Sequence, residues 1–155
     1  MSTWDNFDGL RERFGLARSA VRDDGWQTSK KQTLVIELPD ATALGDTDTA
    51  AAEPDAAFIP AGAILRNAQL VVDTAFTSGG SAVLDIGLKQ LDGTNIDDDG
   101  VDAAIAVASL TLRAGVESDG ALVNTKMQYD SYVMFTYDTA AFTAGAGRLI
   151  VEYVV

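Results

Sequence analysis

The sequence predicts a mainly β domain of the β-sandwich or jelly-roll-like kind, and three observations point to it. Short runs rich in β-branched and aromatic residues recur along residues 32–155, glycine and aspartate clusters of the turn-forming kind separate them, and several runs alternate in polarity. At 155 residues the chain is long enough to bury one conventional core. The expected organisation is an N-terminal arm over residues 1–31, partly helical, followed by a β-sandwich domain over residues 32–155 that carries one short helix near residues 100–113.

In the arm, Phe7, Leu10, Phe14, Ala17 and Val21 step by three and four, the spacing of one helical stripe. Asp5, Asn6 and Asp8 supply caps and favourable charge at the front, Arg18 and Arg22 sit toward the back, and Gly15 argues against one unbroken helix. The polar run DDGWQTSKKQ that follows reads as a hinge. Trp4, Phe7, Leu10 and Phe14 are the candidate partner-binding anchors, because an exposed aromatic stripe makes sense only when covered. The same stripe can instead fold back onto its own sheet.

Strands are expected at TLVIEL (33–38), AILRNAQLVVDTAF (63–76), AVLDIGLKQL (82–91), ALVNTKMQY (121–129), YVMFTY (132–137) and RLIVEYVV (148–155). TSGGS, with Gly79 and Gly80, suits a hairpin turn, and TAGAG is expected to separate the last two strands. Between the first two strands lies a long acidic Ala/Thr/Asp stretch, residues 39–58, without periodicity. It is either a mobile solvated loop or an extended segment that drapes over a neighbouring subunit.

The residue inventory excludes much chemistry. Cysteine and histidine are both absent, which removes thiolate nucleophiles, His-based triads and the usual zinc ligand sets. The net charge of -12 is uneven: residues 1–31 hold six Lys/Arg against five Asp/Glu, and the rest holds five against eighteen. Such a body repels phosphate backbones and anionic lipid, so neither nucleic acid nor a membrane is the expected partner, and a cation-rich protein surface is. No secretory leader and no apolar run long enough to span a bilayer is read in the sequence.

The stretch DGTNIDDDGVDAAIAV packs Asp92, Asp97, Asp98, Asp99 and Asp102 together with Gly93 and Gly100. Asn95, Asp97, Asp99 and Gly100 match the opening of an EF-hand loop and form a weak calcium candidate. The twelfth position, which needs a bidentate carboxylate, is Ala106, and the apolar eighth is Asp102. The alternative is a helix start: Asp98 or Asp99 caps a helix from Val101, with Ile105, Ala108 and Leu112 on its face, Arg113 in its last turn and Gly115 as terminator. Asp97, Asp98, Asp99 and Asp102 as an acid and base pair lack the contrast of environment that catalysis needs. Tyr129, Tyr132, Phe135 and Tyr137 offer either a sugar-stacking platform or cross-strand core packing. No catalytic residue and no cofactor is expected.

The segments FIPAGAILRNAQLVVDTAF, SAVLDIGLKQLDGTNIDDDGVDAAIAVASL and AAFTAGAGRLIVEYVV, in this order, resemble the small virion proteins of tailed phages over residues 58–155. The resemblance implies a capsid decoration or cement protein. Such a protein is β-rich, a homo-oligomer and often a trimer, bound to the major capsid protein on the capsid exterior, and it is not an enzyme. Other head- or tail-associated virion proteins share this character, and a carbohydrate-binding β-sandwich is the alternative from another class.

Overall fold

A computed structural model describes residues 2–5, 11–14, 31–52 and 54–155. By backbone contacts the chain divides into two compact units, Met1–Gln32 and Thr33–Val155. In the first, β1 (Ser2–Asp5) and β2 (Arg11–Phe14) form an antiparallel pair with Ser2 opposite Phe14 and Trp4 opposite Glu12. The helical reading of the arm is therefore corrected where the residues are described: both segments are extended. Phe7, Leu10, Ala17 and Val21 lie outside the described residues.

The body is built from β3 (Lys31–Glu37), β4 (Thr49–Ala50), β5 (Phe58–Ile59), β6 (Ile64–Ser78), β7 (Val83–Gln90), β8 (Asn95–Ala106), β9 (Gly115–Glu117), β10 (Ser131–Asp138) and β11 (Phe142–Val154). One sheet has the order β3-β11-β6-β9 and the other β4-β10-β7-β8, with β5 also paired to β10, and the pairings given for β6 to β11 are antiparallel. Ala50 lies opposite Met134 and Phe58 opposite Tyr132, so β4 and β5 are two pieces of a single edge strand, interrupted by a 3-10 turn at Pro54–Ala57. Treating that pair as one strand leaves eight strands in two four-stranded sheets. Counted in chain order from β3, the sheets run 1-8-3-6 and 2-7-4-5, which is the double Greek-key order of a jelly roll.

Alternation explains which side chains make the core. On β10, Val133 and Phe135 point inward, and on β7 Leu84, Ile86 and Leu88 do so. They meet Leu65, Ala68, Leu70 and Val72 of β6 and Leu149, Val151 and Tyr153 of β11, all buried. Phe76 and Phe142 close one end in an edge-to-face pair with centroids 5.3 Å apart.

Four expectations along the body are corrected, the first because successive strands mostly change sheets in this topology. TSGGS is not a hairpin turn, since β6 and β7 belong to different sheets. TAGAG does not separate strands but lies inside β11, where register shifts around Ala144 and Ala146 bend the strand, and Gly145 (φ 147°) lets the backbone pass against the Phe76 ring. ALVNTKMQY is not a strand. Its first residues form a turn tied to β8 by Leu122 N–H donating to Gly100 O (2.7 Å), and it touches β6 through one bridge, Lys126 to Ile64. The acidic stretch is not structureless, because Ala41, Leu44, Ala51 and Ala57 are buried in the core and Asp40 caps a 3-10 turn at Ala41–Ala43.

The helix expected near residues 100–113 is absent. Val101 lies within β8, a single 3-10 turn spans Val107–Ser109, and Gly115 opens β9 instead of closing a helix. Val101 and Ile105 are buried as the helical stripe required, but within β8: Ile105 lies opposite buried Leu84, and Val101 lies in the irregular stretch between Asp97 and Asp102. The remaining positions of that stripe, Ala108 and Leu112, are exposed. Pairing with β7 overrides the helical propensity of the alanines.

Candidate functional site

The acidic motif resolves into a β-bulge. Along β8, Asp97 opposes Leu88 and Asp102 opposes Ile86, so Asp98, Asp99, Gly100 and Val101 stand against Gly87 alone. The excess backbone lies over Gly87: a Cβ there would fall 2.3 Å from Asp98 O and 2.4 Å from Asp97 O. The chain at Gly120 closes on the bulge from the other side, with its N–H on Val101 O at 2.9 Å and no room for a side chain. A second irregularity follows, where Ala104 takes φ 54° and its N–H donates to Asp85 Oδ1.

The bulge walls one side of the outer face of the β4-β10-β7-β8 sheet. Tyr132, Met134, Thr136 and Asp138 of β10 share that face with Lys89, Gly87 and Asp85, their partners on β7. At one end, Asp46, Asp48, Asp85, Asp98 and Asp138 surround a trough of about 400 Å³ floored by Thr136. Lys89 forms an ion pair with Asp48, and the hydrogen bond that its ammonium donates to that carboxylate raises the lysine pKa. At the other end, where the edge strand breaks between β4 and β5, a cavity of about 520 Å³ is lined by Ala50, Asp55, Phe58, Leu91 and Tyr132. Leu91 is 61% and Phe58 37% exposed, although the face around them is the outside of a sheet. One sheet face therefore carries an apolar socket at one end and a carboxylate-rich trough at the other.

Of the expected calcium ligands, the Asp97 and Asp99 carboxyls lie within hydrogen-bonding reach of each other. Asn95 opposes Lys89, Asp97 opposes Leu88, and Asp99 lies in the bulge. Among the described residues no three acidic side chains form a metal-holding group. Burial first, and then the neighbouring Asp99 carboxyl, pushes Asp97 above the usual carboxylate range. The supposed helix-capping aspartates cap nothing; Asp92 instead accepts from Thr94 N–H in the turn between β7 and β8, at 2.8 Å, which lowers its pKa.

Nor do the four aromatic residues form a platform. Phe135 is fully buried, Tyr137 packs against the core from the same face of β10, Tyr132 points the other way, and Tyr129 is half exposed off the sheet. Trp4 and Phe14 are placed by their backbone in β1 and β2, while Phe7 and Leu10 lie outside the described residues. Sequence reasoning missed the socket residues Phe58 and Leu91. The available signal was Leu91 itself, a large apolar residue directly before the DG turn.

A different carboxylate is buried. Asp102 is 5% exposed on the inner side of β8, and Ser118, just after β9, is 7% exposed. Asp102 Oδ2 and Ser118 Oγ each lack a geometrically formed hydrogen bond, although the hydroxyl is close enough to favour the charged carboxylate. Burial outweighs that help and, together with Asp119 and Asp85, raises the Asp102 pKa.

No known family pattern matches the chain, and no curated protein sequence does. Solved structures do match in fold. The chain is similar to one from the capsid of Ralstonia phage GP4, with TM-score 0.55, 16% identity, and coverage of 80% of this chain and 83% of that one. A chain of the Cyanophage Pam1 capsid asymmetric unit matches with TM-score 0.54 at 15% identity over 79% of this chain and 83% of its own. A third, from the acidic stable capsid structure of Helicobacter pylori bacteriophage KHP30, gives 0.55 at 13% identity over 81% and 87%.

Proposed function

We propose that this chain is a non-enzymatic virion structural protein of a tailed phage, a decoration or cement protein that sits on the outside of the major capsid shell and stabilises it. The observation that carries the reading is the jelly-roll topology together with its likeness, over about four-fifths of the chain, to chains of three phage capsids. Jelly rolls are a recurrent architecture of viral capsid domains, because the double sheet buries its core while leaving two faces and several loops for lateral contacts. Charge favours the exterior. With eighteen acidic against five basic residues after residue 31, the body is unsuited to line a space filled with nucleic acid.

Binding to the major capsid protein and to further copies of itself, as a homo-oligomer such as a trimer, is assigned to the N-terminal segment, with Trp4, Phe7, Leu10 and Phe14 as anchors. Many copies acting together convert modest single contacts into firm attachment. The experiment is co-sedimentation of purified chain with shells that lack it, followed by heating. Bound chain is expected to raise the temperature at which shells open, and deletion of residues 1–31, which removes only the first residue of β3, is expected to abolish attachment. Unchanged attachment of the truncated chain would remove the arm from the account.

A further inference from the structure

We infer that the outer face of the β4-β10-β7-β8 sheet is the receptor for the N-terminal segment of a second copy of this chain. The apolar socket at Phe58, Leu91 and Tyr132 would take its aromatic residues, and the carboxylate trough its arginines. The inference rests on the homo-oligomer part of the reading above and specifies the surface that part leaves open.

Two properties of the face select the occupant. Apolar side chains as exposed as Leu91 (61%) and Phe58 (37%), beside a cavity of about 520 Å³, call for apolar cover. Farther along the same face stand five carboxylates, Asp85, Asp98 and Asp138 from strands and Asp46 and Asp48 from the connection before β4, with Lys89 paired to Asp48. An anionic apolar partner would be repelled by the trough and a neutral one would leave its carboxylates unmatched, whereas a segment that carries both aromatic residues and arginines answers both. Within this sequence such a segment exists once. Residues 1–22 carry Trp4, Phe7, Leu10 and Phe14 with Arg11, Arg13, Arg18 and Arg22 against Asp5, Asp8 and Glu12, a net +1 with the arginines toward its C-terminal half, whereas the chain after residue 31 has five basic residues against eighteen acidic ones. The segment joins the body at β3, an edge of the opposite sheet, and the homo-oligomer reading makes its receiver the face of a neighbouring copy. Each copy then gives an arm and receives one, a head-to-tail contact of the kind that forms a ring when its rotation closes.

The test uses the full chain. A photoreactive benzoylphenylalanine placed at Leu91, with equal amounts of unlabelled and ¹⁵N-labelled protein, distinguishes links between copies from links within one. Mixed-isotope cross-links from position 91 onto residues 1–22 are expected. Sedimentation velocity should show self-association weakened about tenfold by Leu91→Asp, which removes one large apolar contact. It should also be weakened about tenfold at low salt by Asp46→Lys with Asp98→Lys, both exposed positions, the latter effect shrinking as salt rises. A chain that sediments as a monomer at all concentrations overturns both the homo-oligomer reading and this inference. An oligomer whose position-91 links fall within one copy, or on residues 33–155 of the other, overturns this inference alone.

Discussion

Replacing Gly87 by alanine tests the bulge that shapes the outer face. The added Cβ would lie 2.3 Å from Asp98 O, 2.4 Å from Asp97 O and 2.4 Å from Asp98 C. Ordinary contacts between such atoms are about 1 Å longer, and all three belong to backbone, which cannot rotate away as a side chain can. Crowding of side chains in a core costs about 1–3 kcal/mol. Here a bulge held by Gly120 N–H on Val101 O and Leu122 N–H on Gly100 O must also move, so the upper end, about 3 kcal/mol, is expected. For a domain of this size that lowers Tm by roughly 10 °C. Two glycines calibrate the measurement. Gly79 has nothing within 4 Å of a Cβ and needs no positive φ, so Gly79→Ala should be neutral or stabilise by a few tenths of a kcal/mol, about 0.5. Gly93 is equally open but sits at φ 86°, so Gly93→Ala should cost about 1 kcal/mol through strain alone. Thermal melting by circular dichroism and urea titration should rank Gly87→Ala as the most destabilising, Gly93→Ala next and Gly79→Ala least. A Gly87→Ala protein that melts within about 2 °C of the parent would refute the packing argument.

Asp102→Asn should stabilise the protein at pH 7 by about 1 kcal/mol, since it removes a buried charge with an unpartnered oxygen. The native pKa is raised, so the native state holds the proton more firmly than the unfolded chain; the contribution is complete below the unfolded value of 3.8 and is lost as pH rises through the native one. The gap between variant and parent should therefore close on acidification, and urea titrations at pH 7 and pH 3.5 that gave equal gaps would contradict this. Phe142→Ala, at a position 3% exposed in edge contact with Phe76, should cost about 3–5 kcal/mol, and a loss under 1 kcal/mol in the same titration would show that the end of the sandwich is not packed as described.

How far the sequence carries depends on whether local pattern and topology agree. β3, β6, β7, β10 and β11 are readable because each buries one face over several residues, as Val133 and Phe135 do against Tyr132 and Thr136. Which sheet each strand joins is not readable, because TSGGS looks the same whether it turns a hairpin or carries the chain between sheets. In β8 the bulge stacks four residues against Gly87, which destroys the alternation. The glycines that make room for it, at positions 87, 100 and 120, come from three separate segments. The trough is hidden for the same reason: Asp46, Asp85, Asp98 and Asp138 are far apart in sequence and meet only through strand register. The aspartate run that invites a calcium reading supplies one of them, Asp98.

The central claim, that the chain decorates the outside of a phage capsid, is tested most directly by cryo-electron microscopy of particles with and without it. The prediction is a two-sheet body as extra density standing on the outer surface of an otherwise unchanged shell, with a thin arm leaving it. Density within the shell layer itself, on the inner surface, or no difference between the two particles would contradict the claim.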